Sequence, residues 1–192
     1  MVKTQRIQSS TPRATRQRHG VTLGPLLSEA FEQPEVTLGS IDPQRIRLRM
    51  ILPSENLHLP YPSVKAGKDD DRLRDRLHSI TNRHTESLRG TLKALGTDNL
   101  VSSVDVEIRH APLTPAFKLY LFNGTEALLG PYEVIKRKIE LEGGEVITAL
   151  DVLGLGATLT HHVKDGDPNS PGTVFVDTWQ TWFDSVWNLL TE

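Results

Sequence analysis

Polar and apolar residues alternate strictly over "RIRLRMIL". Ile46, Leu48, Met50 and Leu52 share one face; Arg45, Arg47 and Arg49 share the other. A period of two is that of a strand, here half-buried with a basic outer face. The period then lengthens. Leu73, Leu77, Ile80, His84, Leu88, Leu92 and Leu95 recur at spacings of three and four and draw one apolar stripe along a long helix. Asp69 to Asp71 suit its start, because a helix N-terminus carries partial positive charge. Gly96 is the expected stop. Within the stripe, His84 reads as a packed, hydrogen-bonded core histidine. Arg72, Arg74, Arg76, Arg83, Arg89 and Lys93 lie off it and read as a solvated face.

The proline-punctuated "PSENLHLPYPSVKAGK" between these elements reads as a loop. After the helix, "VDVEIRH" alternates again, with Val104, Val106 and Ile108 against Asp105, Glu107 and Arg109. "FKLYLFNGTEALLG" reads as a hairpin. Phe117, Leu119 and Leu121 share one face, Lys118, Tyr120 and Phe122 the other, and Asn123-Gly124 forms a type I′ turn needing positive φ at both positions. "YEVIKRKIELEGGEVITAL" reads as two strands joined by a two-residue loop at Gly143-Gly144, and "DVLGLGATLTHHV" as irregular and then extended. A last helix has Ser170 as N-cap and Pro171 at N1. It carries Phe175, Trp179, Trp182, Phe183, Val186, Trp187 and Leu190, an aromatic stripe expected to close the core. A short helix is also expected over Leu23–Phe31, with Thr22 as its cap. The order is strand, long helix, a run of strands, helix. It predicts an α/β or α+β domain on one mixed β-sheet flanked by helices.

Composition narrows the function classes. The chain has 192 residues, 37% of them hydrophobic, and a formal net charge of −2, so it is not as a whole an electrostatic binder of nucleic acid. It has no cysteine, which excludes disulfides, thiolate zinc sites and cysteine nucleophiles. No apolar run approaches the roughly 20 residues of a membrane span, and no signal-peptide core is visible, so the cytoplasm is the expected location. Charge is uneven: Lys3, Arg6, Arg13, Arg16 and Arg18 face no acid before Ser28. Residues 1–21 therefore read as a disordered basic arm or linker remnant, and 22–192 as the folded domain.

The hairpin strand carries a second pattern. Lys118, four residues, Asn123, six residues and Gly130 match the spacing of the HKD motif, H-x-K-x(4)-D-x(6)-G-S, and so the stretch resembles the phospholipase D superfamily. In that motif a histidine attacks phosphorus and a lysine two residues on stabilises charge. Here the three remaining positions hold Ala116, Asn123 and Pro131, and no second copy occurs. The resemblance implies a degenerate motif without its nucleophile.

A longer resemblance runs from about Leu23 to the C-terminus. "LLSEAFEQPEVTL", "RIRLRMILPSE", "RHTESLRGTLKALG", "VDVEIRH", "FKLYLFNGTEALLGPYEV", "ALDVLGLGATLTHH" and "FVDTWQTWFDSVW" stand in order. They are similar to the C-terminal effector region of actinobacterial regulators with a GntR-type or other helix-turn-helix head. The resemblance implies a phospholipase D-like half acting as a sensor, with no cofactor. Only about 20 residues precede the matching region, too few for a winged helix-turn-helix, so DNA contact is expected only through a missing or separate head. The expected partner is a small molecule, anions among the candidates, or another protein; no membrane is involved, and a homodimer stays open.

For a ligand site the residues of choice are Lys118 as charge partner and Tyr120 as stacking wall, with Arg109, His110 and Asn123 nearby. For each of them an ordinary strand or turn role is at least as good an account. Two readings stand beside the sensor: a phosphodiesterase or lipid hydrolase using His161 or His162, and a dimerisation module. A metal at His161, His162, Asp165 and Asp167 is disfavoured, because neighbouring strand residues point to opposite faces.

Overall fold

The computed structural model describes residues 4–9, 45–64, 71–153 and 157–192. The helix expected over Leu23–Phe31 lies outside them. In chain order the elements are β1 (Thr4–Ser9), β2 (Arg45–Pro53), β3 (Ser63–Val64), α1 (Asp71–Thr97), β4 (Ser103–Ala111), β5 (Phe117–Phe122), β6 (Glu126–Pro131), β7 (Glu133–Glu140), β8 (Val146–Leu153), β9 (Thr160–Val163) and α2 (Pro171–Leu189). The fold is mixed α/β. The strands form two sheets rather than one: a six-stranded sheet ordered β4-β2-β1-β5-β6-β9 and a three-stranded sheet ordered β3-β8-β7. The chain leaves the first for the second between Pro131 and Glu133. A proline has no N–H to extend a ladder, and it stands at the end of β6.

Thr4–Ser9 departs from the arm expected over 1–21. This segment is a central strand, antiparallel to β2 and parallel to β5, with Arg6 opposite Arg49 on one side and Leu121 on the other. "TQRIQS" has no apolar alternation to announce a strand. Its place rests on hydrogen-bonded pairing with both neighbours, which a single segment does not display. β2 and β4 are parallel neighbours joined through α1, the crossover that parallel pairing requires.

The two helices lie against opposite faces of the large sheet. Leu48, Met50 and Leu52 of β2 pack with Leu88 and Leu92 of α1. On the other face Ile51, Leu119, Leu121 and Ala127 pack with Val176, Phe183, Val186 and Trp187 of α2. α2 begins as its sequence indicates: Ser170 Oγ accepts the Thr173 N–H at 3.2 Å, and proline stands in the first turn.

The basic face of β2 is roofed only at Arg49; Arg45 is exposed. Arg49 donates to Asp184 at 2.7 Å and lies 5.0 Å above the Phe183 ring. Arg47 donates to Glu107 at 2.9 Å, which raises the arginine pKa and holds the Glu107 carboxyl below its usual range. The alternation correctly groups these arginines on one side; α2 and the neighbouring strand β4 decide what Arg49 and Arg47 meet.

At 27 residues α1 is about 40 Å long, enough to span both sheets. Leu73 joins the small sheet through Ile139, Leu141 and Ala149, while Leu88 and Leu92 join the large one. Between these contacts His84 is exposed, contrary to the buried position its place in the stripe predicts. The helix also runs past Gly96 to Thr97, and Asn99 takes the left-handed conformation, φ 57°, that ends it.

Both hairpins form. Asn123 and Gly124 have φ 52° and 69°, and the Thr125 N–H donates to Phe122 O at 2.9 Å. In the second hairpin the Leu141 N–H donates to Glu145 O, so Glu142 joins Gly143 and Gly144 in the loop. Both glycines have positive φ, 96° and 84°.

Candidate functional site

After β2 the chain is held at once by its neighbour, the Ser54 N–H donating to Ala111 O at 2.8 Å at the end of β4. The Leu57 N–H then closes a turn onto Ser54 O at 3.0 Å. The proline-rich stretch that follows, with a cis Tyr61-Pro62 peptide bond, crosses in front of the first half of α1. This half of the helix has left the large sheet for the small one. A cleft of about 80 Å³ opens where the two sheets part, between residues 53–62, residues 71–82 of α1, the ends of β4 and β8, and Pro115.

Its walls are mainly apolar, including Leu57, Leu59, Leu77, Pro115 and Val152. Three of the chain's seven histidines line it: His58, His78 and His110. Tyr61 lines it too, and burial pushes its phenol above the usual range. Two carboxylates of the lining are paired with arginines. Arg74 donates to Asp71 at 2.8 Å. Asp151, only 6% exposed, accepts from Arg137 Nε at 2.7 Å and from the Val152 N–H at 2.8 Å. Ser54 Oγ is buried without a hydrogen-bond partner.

A serine, three imidazoles and an aspartate in one cleft raise the question of nucleophilic catalysis. Such chemistry needs the hydroxyl bonded to an imidazole and the imidazole oriented by the acid. Here Ser54 Oγ bonds to no imidazole, and both Asp151 oxygens are taken by Arg137 and Val152. The arrangement can hold a ligand; it does not form a proton relay. Among the described residues no group of three or more histidines and acids is placed to bind a metal.

The five residues singled out from the sequence do not converge. Only His110 lines the cleft. Arg109 points to the opposite face of the sheet, where its guanidinium lies 4.3 Å over the Trp187 ring and donates to Trp187 O at 3.3 Å. Lys118 and Tyr120 share the face away from α2, as alternation requires. Lys118 is half-buried, and burial pushes its ammonium below the usual lysine range. Tyr120 is 8% exposed and stacks on Phe122, so it is a packed residue rather than an open wall; burial raises its pKa. Asn123 sits in the turn at the far end of β5.

His161 and His162 point to opposite faces of β9. His161 Nε2 and Glu126 Oε2 are 2.8 Å apart, and the His162 ring stacks on Phe175 at 3.5 Å. Burial, and then the neighbouring His161, push the His162 pKa down. Neither histidine lines the cleft.

Ser54, His58, Tyr61, His78 and Asp151 belong to no motif in the sequence, yet all line this cleft. A weak signal was present: "LHLPYP" places a histidine and a tyrosine among prolines, and His78 adjoins the stripe residue Leu77. No family model matches the chain, and no curated protein or solved structure matches it. No helix among the described residues is long and apolar enough to cross a membrane.

Proposed function

We propose that the chain is a non-catalytic small-molecule-sensing domain, a cytoplasmic effector module of phospholipase D-like descent related to the effector region of GntR-type regulators. The descent rests on the ordered sequence stretches and on the Lys118–Gly130 spacing. The sensing function rests on one observation: the cleft at the junction of the two sheets gathers apolar walls and several polar groups without linking serine, histidine and aspartate into a relay. Its output to DNA passes through a helix-turn-helix outside the effector domain. The hydrolase alternative lacks comparable support, because His161 and His162 are engaged elsewhere and Ala116 offers no nucleophile at the motif position.

Two measurements test this reading. Neutral, anionic and cationic fragments are titrated while backbone amides are followed by NMR; a sensor takes at least one of them at the cleft. Generic phosphodiesters are assayed in parallel with wild type, Lys118→Ala and the His161→Ala/His162→Ala double variant. No turnover is expected. Turnover abolished by Lys118→Ala would overturn the dead-motif reading, and turnover lost only in the histidine variant would establish the hydrolase.

A further inference from the structure

The cleft also constrains what it takes. We infer that its ligand is an uncharged, ring-sized organic molecule carrying one hydroxyl or amide group, not the anion that the sequence brought forward. This inference rests on the sensing function proposed above.

The first argument is charge. Lys118 and Arg109, the cations expected to hold an anion, do not line the cleft. Among the described residues the lining holds three carboxylates, Glu55, Asp71 and Asp151, against one guanidinium, Arg74. That guanidinium is bonded to Asp71. Among the described lining residues, an incoming carboxylate or phosphate would lose water to apolar walls, find no unpaired guanidinium or ammonium, and face an excess of acids. A ligand cation fares little better. Asp71 and Asp151 already have arginine partners, which leaves only the exposed Glu55.

The second argument is polarity. Ser54 Oγ is buried with no partner, and a buried hydroxyl is costly until it is hydrogen-bonded. The oxygen is closed off as it stands; turned into the cleft about χ1, it pairs with a ligand hydroxyl or amide that carries no charge. The side chains of His58, His78, His110 and Asn82 add further polar groups to the lining. The third argument is size. About 80 Å³ fits a single small ring and falls well below the roughly 300–1,000 Å³ of drug-sized ligand sites.

The test uses the full chain and four probes of nearly equal size: phenol, toluene, benzoate and benzylamine. Each is titrated at pH 7.5 with backbone amides followed by NMR. Phenol is expected to saturate shifts at residues 54–62 and 74–82 with a Kd on the order of 1 mM. Benzoate and benzylamine are expected to bind at least about tenfold more weakly. Ser54→Ala, a small change checked for folding by circular dichroism, is expected to weaken phenol about tenfold and leave toluene unchanged. Benzoate or benzylamine saturating the same amides more tightly than phenol would overturn the ligand class and leave the sensing function standing. An equal loss of phenol and toluene in Ser54→Ala would overturn the hydroxyl assignment. Cleft amides unmoved by all four probes would overturn the ligand class; if the broader fragment screen leaves them unmoved too, the sensing function falls with it.

Discussion

Lys118 and Gly130 stand directly opposite one another across the β5–β6 ladder. They are the two positions that match the HKD spacing, and the fold accounts for the glycine without catalysis. A Cβ built on Gly130 would lie 2.6 Å from both Thr158 O and Leu159 Cδ2. The backbone of residue 158 crosses β6 too closely for any side chain there. Gly130→Ala is therefore expected to destabilise the protein by about 1–3 kcal/mol, the usual cost of forcing atoms into a packed site. The urea midpoint measures it; an unchanged midpoint would mean that the 158–159 segment moves aside freely.

Asp151 is a buried carboxylate held by one side chain, and that side chain comes from the adjacent strand β7. Removing the partner leaves an uncompensated acceptor. Arg137→Ala is expected to cost about 1–3 kcal/mol, because the Val152 N–H remains but the charge is unpaired. Asp151→Asn in the same background is expected to recover part of the loss. Equilibrium unfolding of the two variants checks both statements.

The aromatic stripe of α2 is not uniform. Phe183 is 0% exposed and Trp187 4%, whereas Trp179 and Trp182 are only partly buried and pack edge-on against Phe117. Phe183→Ala is expected to cost about 3–5 kcal/mol, and Trp182→Ala roughly half as much. Equal losses would show that the outer tryptophans are as tightly packed as the inner ring.

His162 favours its neutral form in the folded protein, first through burial and then through His161. Its folded pKa lies below the ordinary value of 6.5, so the unfolded chain binds the proton more readily. The stability this represents is present above pH 6.5 and is lost as pH falls through the folded pKa. His162→Phe keeps a ring against Phe175 and removes the titration. The fall in urea midpoint between pH 7.5 and 5.5 is expected to shrink in this variant; an unchanged fall would mean that the imidazole titrates alike in both states.

The sequence by itself determined which residues share a face and where several elements begin and turn. The alternation of β2, β4 and β5, the Ser170 cap with Pro171 behind it, and the positive φ at Asn123 and Gly124 are properties of a few consecutive residues. Backbone geometry reads them directly. Tertiary structure alone decided what each face meets. Arg49 lies beneath α2, bonded to Asp184, while Arg47 is held by Glu107 of the neighbouring strand β4. The apolar stripe of α1 divides between two sheets and leaves His84 exposed. Thr4–Ser9 becomes a central strand through pairing on both sides. The cleft forms in the same way, where a proline-rich loop, half a helix and the ends of two strands from different sheets meet. Its residues share no period because no single element builds it. Closure between segments far apart in the chain leaves no local pattern to read, and so Ser54, His58, His78 and Asp151 came together only in three dimensions.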